Sequence, residues 1–199
     1  MRWICLHLLV PIPWAGSTWA LPFLTALAPS ERYAQQHSRR FKPLTLWARQ
    51  LIRLVHRWPP KRDLVIVGDR AYAALALLAA VRSAAPVVAR LRLDAHLCAP
   101  APLRLPGQTG RPRVVGSRLP TLSTYANTPS GPWRTRTLTR WYGARDRPIQ
   151  LLSGTAVWYH TGLPPVPIRW VLVRDPRGSF TTQAFRCTDL AADPLLIRC

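Results

Sequence analysis

The chain has 199 residues, and 48% of them are hydrophobic, including nine tryptophans. This length and composition exclude a wholly disordered polypeptide and allow a core of ordinary size. The 28 lysines and arginines against 8 aspartates and glutamates give a net charge of +20, which favours a polyanionic partner such as nucleic acid. The four cysteines are far apart and have no histidine at metal-ligand spacing, so we expect buried free thiols rather than a zinc site or a disulfide framework.

The N-terminal residues contain two apolar runs. The first, WICLHLLV (3–10), is rich in residues that are compatible with strands, and two prolines and Gly16 separate it from a second run at 19–27. A positive residue followed by an apolar stretch also resembles a secretory signal. However, His7 and the prolines interrupt that stretch, and it is too short to span a bilayer. We therefore predict two neighbouring strands joined by a turn.

A basic segment and an amphipathic helix follow. The segment SERYAQQHSRRFKPL (30–44) predicts a loop or a frayed helix with a surface that contacts anions. From Leu44 to Trp58, apolar residues recur at the spacing of one helix face, and a Pro-Pro pair ends the pattern. This spacing predicts a helix that packs one side against a core.

The stretch DLVIVGDRAYA (63–73) begins an alternation of strand and helix patterns. Its continuous apolar run predicts a strand buried on both faces, and the segment AYAALALLAAVR (71–82) has strong helix propensity. The segment PVVARLRLDAHL (86–97) alternates apolar and polar residues, which predicts a further strand. Alternating elements of this kind indicate an α/β layer architecture.

The composition changes at about Ala99. From 99 to 150 the chain is rich in proline, glycine, threonine and arginine, which predicts a β-rich or irregular insertion with a short strand at 133–142. The last part recovers strand patterns in QLLSGTAVWYH (150–160) and IRWVLVRDP (168–176), followed by a turn at 175–178.

Asp69 stands directly after the apolar run, at the carboxyl end of the predicted strand. Ligands of α/β sheets usually bind at this end of the strands. Two interpretations are open at this point. The carboxylate either caps the following helix by accepting backbone N–H groups near Ala71 or Tyr72, or it binds a hard cation such as Mg²⁺ or Mn²⁺. A single carboxylate cannot hold a metal pair, and Asp63 lies about 20 Å away at the other end of the strand. Asp94, after the next strand, is a possible neighbour.

Four blocks, in this order, carry a family resemblance. They are RWICLHLLVPIPWAGSTWALPFLTALAPSERY, LTLWARQLIRLVHRW, VIVGDRAYA and GTAVWYHTGLPPVPIRWVLVRDPRGSF. Together they resemble the core of DDE-superfamily transposases of bacterial insertion sequences, and the match covers nearly the whole chain apart from 99–130. The resemblance implies a ribonuclease H-like fold and a Mg²⁺ or Mn²⁺ cofactor. It also implies DNA, at transposon ends, as the partner, and oligomers in the intact family.

By this resemblance Asp69 matches the second of three catalytic, metal-binding acidic residues. The first is expected upstream of Met1 and the third, a glutamate on a helix, after the last block, whereas the one glutamate of this chain is Glu31. We therefore expect a fragment truncated at both ends and inactive alone. Its fold would be an incomplete ribonuclease H-like mixed α/β sheet flanked by helices. The expected divisions are the first part of the core at 1–98, the basic insertion at 99–150, and a β-rich return toward the core at 151–199.

Exposed basic residues are the candidates for DNA phosphate contacts, with a merely solvated basic surface as the alternative. An aromatic and basic mixture at 133–142 suggests either stacking on an unpaired base or packing of a small core. The predicted phosphate contacts are Arg39, Arg40, Lys42, Arg111, Arg113 and Arg118.

Two other functions compete with the transposase fragment. One is a non-catalytic, basic nucleic-acid-binding protein. The other is a complete nuclease whose metal site combines Asp69, Asp94 and a third carboxylate. In each case we expect a cytoplasmic protein without membrane association.

Overall fold

A computed structural model of the chain describes residues 1–58, 63–128, 131–141 and 144–197. The chain divides into two compact units, Met1–Arg62 and Asp63–Cys199, which we call the hairpin unit and the sheet unit. No helix within the described ranges is long and apolar enough to cross a membrane. The elements of the described residues are β1 (Arg2–Ile12), β2 (Ser17–Ala28), α1 (Glu31–Gln36), α2 (Leu44–Arg57), β3 (Ile66–Gly68), α3 (Leu75–Val81), β4 (Val87–Leu91), β5 (Leu97–Cys98), α4 (Leu122–Ala126), β6 (Arg134–Trp141), β7 (Ala144–Trp158), β8 (Val166–Arg174) and β9 (Gln183–Cys187).

In the hairpin unit, β1 and β2 pair antiparallel and α2 contacts both strands. The predicted pair of strands and the predicted helix are confirmed. Because side chains alternate along a strand, Ile4 and Ile12 lie on one face of the hairpin, and both are buried. Helix α2 buries Leu51, Ile52 and Val55, which belong to the apolar face of its sequence pattern. The polar segment before it begins with the short helix α1, which Ser30 caps.

The other face of the hairpin is exposed. Trp3 and Leu27 lie opposite each other across the two strands, and Trp3 is 72% exposed. Trp14, in the turn between the strands, is 84% exposed. The hairpin unit therefore covers one of its two sheet faces with a helix and leaves large apolar side chains on the other.

The described part of the sheet unit contains seven strands in the order β3-β4-β9-β8-β7-β5, with β6 also paired to β7. Strands β3 and β4 are parallel, and all other pairs are antiparallel. Helices flank this mixed sheet, and both α3 and α4 contact β8. The predicted mixed α/β fold is confirmed, and its sheet is compatible with a ribonuclease H-like core.

Both faces of the central strands of this sheet are buried. On one face Trp170 is 6% exposed and its ring stacks on Tyr125, with ring centroids 5.4 Å apart. Gly154 lies opposite Trp170, and a Cβ there would come within 2.6 Å of the indole ring, so this position needs glycine. The other face is filled by a cluster of buried side chains, namely Val88, Leu138, Ile149, Leu151, Val171, Val173, Phe185, Cys187 and Ile197.

The prediction that the run before Asp69 is buried on both faces is wrong. The strand itself spans three residues, and Val65 and Val67 are 55% and 47% exposed. Val65 and Val67 alternate onto the same face of β3, and their exposure shows that no second layer covers that face. Among the described strands β3 also lies at the edge of its sheet, paired to β4. The helix predicted at 71–82 begins later, because a short 3-10 helix at Arg70–Tyr72 precedes α3.

Other local predictions have mixed outcomes. The strand predicted over 86–97 is interrupted by a turn that separates β4 from β5. The strands predicted at 133–142, 150–160 and 168–176 correspond to β6, β7 and β8, although Tyr142 lies outside the described residues. Cys5, Cys98 and Cys187 are free thiols, as expected. Only the last of these three is buried, so burial was wrongly predicted for the other two, and Cys199 lies outside the described residues. The division of the chain at 98 and 150 stays a prediction.

Candidate functional site

Asp69 follows the last residue of β3 and is exposed. Its Oδ1 accepts hydrogen bonds from the backbone N–H groups of Ala71, at 2.8 Å, and Tyr72, at 3.3 Å. The capping interpretation is thus confirmed, for a 3-10 helix. These bonds fix the carboxylate but leave Oδ2 available, because a carboxylate offers about four acceptor positions. Partial burial, together with the charge of Asp69, raises the pKa of the Tyr72 phenol above its ordinary value.

The sheet edge that carries Asp69 is the carboxyl end of the parallel pair. Gly68 is in register with Ala89 of β4, so both strands run toward the same edge. Strand β9 is antiparallel to β4, and therefore its first residues also lie there. A cavity of about 510 Å³ opens beyond β4 at this edge, lined by Arg90, Arg92, Asp94, Ser123, Thr181 and Thr182 among others. These guanidinium and hydroxyl groups are of the kind that bind phosphate oxygens.

Asp94, the neighbour considered for Asp69, is held by an arginine. The Nε of Arg92 donates to Oδ1 of Asp94 at 2.6 Å, and its Nη2 donates to Oδ2. Both side chains are more than 60% exposed. A carboxylate already paired with a guanidinium is a poorer cation ligand, because its charge is partly neutralised.

The acidic and other metal-ligating residues do not gather around Asp69. Within the described ranges, no group of three or more histidine, cysteine, aspartate or glutamate side chains is placed to hold a metal ion. Asp189 and Asp193 each accept a hydrogen bond from a backbone N–H two residues later, as turn residues do. One carboxylate does not fit a two-metal centre for phosphoryl transfer.

Asp175 has a structural environment. It is 6% exposed, and its Oδ2 accepts hydrogen bonds from Arg147, at 2.6 Å, and from the backbone of Ser179, at 2.9 Å. Burial by itself would raise the pKa of Asp175, but the hydrogen bonds from Arg147, Arg177 and Ser179 and the charge of Arg147 lower it to about 2. This aspartate therefore anchors the predicted turn at 175–178.

The predicted phosphate contacts fall in both units. In the hairpin unit Arg39 and Arg40 are exposed, whereas Lys42 is half-buried with its Nζ 5.2 Å from the centroid of the Trp47 ring. In the sheet unit Arg111 and Arg113 are exposed on the irregular segment between β5 and α4.

Arg118 is also exposed on this segment and contacts the ring of His96. That contact leaves Arg118 at the surface of the sheet unit but partly engaged with a neighbouring side chain. Whether any of these six side chains binds DNA stays a prediction.

The aromatic and basic mixture at 133–142 has one described aromatic side chain, Trp133. The guanidinium carbon of Arg174 lies 4.0 Å from the centroid of its ring, and its Nε1 donates to the carbonyl of Thr128. Trp133 therefore packs within the chain, which is the core interpretation. The side chain of Trp141 and all of Tyr142 lie outside the described residues.

Arg186 is a buried charge to which no sequence pattern drew attention. Its side chain is fully buried beside the ring of Trp158, with the guanidinium carbon 4.5 Å from the ring centroid. No described residue accepts a hydrogen bond from its three nitrogens. Burial lowers the pKa of Arg186 to about 10, so the group remains a cation at neutral pH.

Comparison with known protein families decides the assignment. The model of the DDE superfamily endonuclease family matches residues 1–148, which include Asp69. The chain belongs to the DDE superfamily endonucleases. This membership supports a transposase-like nuclease with DNA as its substrate, in a family whose nucleases typically use divalent metals. No curated protein and no solved structure matches this DDE endonuclease chain.

Proposed function

We propose that this DDE endonuclease acts at transposon ends as an insertion-sequence transposase, and that Asp69 is one of its ligands for Mg²⁺ or Mn²⁺. The observation that carries the proposal is the place of Asp69. It lies inside the range matched by the family and at the carboxyl end of β3, and its carboxylate is exposed. The two backbone N–H groups that bind Oδ1 hold the carboxylate in one orientation, with Oδ2 available to a cation.

DNA binding is supported by the charge of the chain. A net charge of +20 attracts a phosphate backbone, and the exposed Arg39, Arg40, Arg111 and Arg113 are free of acidic neighbours in sequence. We include Lys42 and Arg118 in the proposed contact surface. Contacts of this kind position DNA without reading its sequence, and their strength falls as the salt concentration rises.

Cleavage of a DNA strand by two metal ions requires more carboxylates than the one that Asp69 supplies. A pair of metal ions that activates an attacking oxygen and stabilises a leaving oxygen is held by several oxygen ligands. We therefore expect this chain, by itself, to bind DNA and not to cut it.

A nicking assay tests this proposal. The isolated chain, with Asp69→Asn and the exposed control Asp63→Asn, is incubated with supercoiled plasmid and Mg²⁺ or Mn²⁺, and DNA binding is measured in the same samples. We expect binding by all three proteins and nicking by none. Nicking that disappears in Asp69→Asn alone would show that the chain is active by itself, and absence of DNA binding would contradict a DNA-directed function.

A non-catalytic nucleic-acid-binding protein is the second candidate. The one-sided charge favours it, because that charge supports DNA binding without requiring a metal. The two candidates differ at Asp69, which binds a cation in the first and only caps a helix in the second.

A further inference from the structure

A second cavity of the sheet unit, of about 360 Å³, is lined by three arginines. We call it the arginine cavity. Arg134 and Arg136 come from β6 and Arg169 comes from β8, with Ser153 of β7 between them. The cavity lies wholly within the sheet unit and contains none of the residues proposed above for phosphate contacts.

Strand register explains why these residues meet. Arg134 lies opposite Leu151, and two residues along β7 from Leu151 is Ser153. Arg169 lies opposite Thr155, two residues further on. Because opposite residues share a face and alternate residues repeat it, the three arginines and Ser153 project from the same face of the sheet.

The charges in the arginine cavity are unbalanced. Its lining contains three guanidinium groups and one carboxylate, Asp193, whose Oδ1 accepts a hydrogen bond from the backbone of Leu195. Arg169 is half-buried, and its Nε donates to the carbonyl of Leu190 at 2.6 Å, which fixes its guanidinium. A cluster of like charges is stabilised by an anion, and guanidinium groups bind phosphate oxygens through paired hydrogen bonds.

The rest of the lining is apolar. Leu151, on the same face as the arginines, is buried, and Pro132, Pro194 and Leu195 complete the surface around it. A cavity of this size with an apolar floor and a few charged groups at one side is typical of sites for small organic ligands. The combination suits a ligand that has one anionic group and one flat apolar part.

We propose that the arginine cavity binds one nucleotide of a DNA strand, with its phosphate on the three guanidinium groups and its sugar or base over Leu151 and Leu195. The inference rests on the proposed function, because it takes DNA as the partner. It adds a binding site for a DNA strand on the sheet unit, and β6, β7 and β8 build this site. The six phosphate contacts predicted from the sequence lie on irregular segments instead, whereas the mixture at 133–142 was considered only for base stacking.

The test compares two double variants of the full chain by fluorescence anisotropy with a labelled single-stranded oligonucleotide. Arg134→Gln/Arg136→Gln changes the arginine cavity, and Arg82→Gln/Arg177→Gln removes the same charge from two exposed positions elsewhere on the sheet unit. We expect the first variant to lose about tenfold in affinity and to reduce the slope of log K against log salt by about one. The control should lose less than threefold. Circular dichroism checks that both variants fold.

The outcomes separate the inference from the proposed function. If the unchanged chain does not bind DNA, the proposed function fails and the inference fails with it. If the unchanged chain binds DNA but the two double variants bind equally well, the arginine cavity is not the site and the proposed function stands. Arg136→Lys is a second variant that keeps the charge but not the paired geometry, and we expect a smaller loss, of about threefold.

Discussion

The hairpin unit and the sheet unit bury similar apolar sequences to very different extents. Trp3 and Trp14 of the hairpin unit are largely exposed, whereas Trp170 on β8 of the sheet unit is almost fully buried against β7 and α4. A strand buries its side chains only where a second layer covers the face on which they lie. The comparison therefore shows that an apolar run specifies a strand but does not specify how much of that strand is covered.

The two units also differ in their charged groups. The sheet unit buries Asp175 with Arg147 and buries Arg186 beside an indole ring. In the hairpin unit the acidic residue is Glu31, which is exposed at the start of α1. Buried charges depend on partners from distant strands, and the many-stranded sheet is the part of the chain that supplies such partners.

The largest effect that tests the comparison is the loss of a buried indole. We expect Trp170→Ala to lower the free energy of unfolding of the sheet unit by about 3–5 kcal/mol, because it empties the space that faces Tyr125 and Gly154. Trp14→Ala is the matched control and should change stability by less than about 0.5 kcal/mol. Urea unfolding followed by circular dichroism measures both. Equal losses would show that the two units do not differ in packing.

A smaller effect concerns the buried carboxylate. Because the folded pKa of Asp175, about 2, is below the unfolded value of about 3.9, its pairing stabilises the fold above about pH 4. That contribution is lost as the pH falls from about 4 to 2. Asp175→Asn should therefore be less stable than the unchanged chain at pH 6, and the difference should shrink as the pH approaches 2.

Melting temperatures measured between pH 2 and pH 6 check this prediction. Glu31→Gln, at an exposed position of the hairpin unit, is the control, and its melting temperature should stay parallel to that of the unchanged chain. A constant difference between Asp175→Asn and the unchanged chain over this range would mean that Asp175 is not held ionised by Arg147.

Patterns that depend on neighbours in sequence could be predicted. The apolar face of α2, the two strands of the hairpin and the turn at 175–178 follow from residue spacing and turn residues. The cap made by Asp69 is also local, because its carboxylate and the N–H groups of Ala71 and Tyr72 are separated by two and three residues. The resemblance to the DDE family rested on four blocks in order, and the match over residues 1–148, which contain the first three blocks, confirmed the family.

Features that depend on strand order could not be predicted. The exposure of Val67 depends on whether a second layer covers its face of β3, which no property of the run itself determines. Arg186 is buried because it lies on a central strand, although its side chain is charged. The arginine cavity needs the register of β6, β7 and β8, which joins Arg134 to Arg169 across 35 positions of sequence. Such contacts become visible only when the sheet is assembled.

The most direct test of the central claim is whether a metal ion binds at Asp69. Fe²⁺ is supplied instead of Mg²⁺ to the DNA-bound chain. With ascorbate and peroxide it generates radicals that cut the polypeptide backbone close to the ion. We predict fragments that end near residue 69 in the unchanged chain and in Asp63→Asn, and none there in Asp69→Asn. The same fragments in Asp69→Asn, or no cleavage near residue 69 in any of the three proteins, would contradict the assignment of Asp69 as a metal ligand.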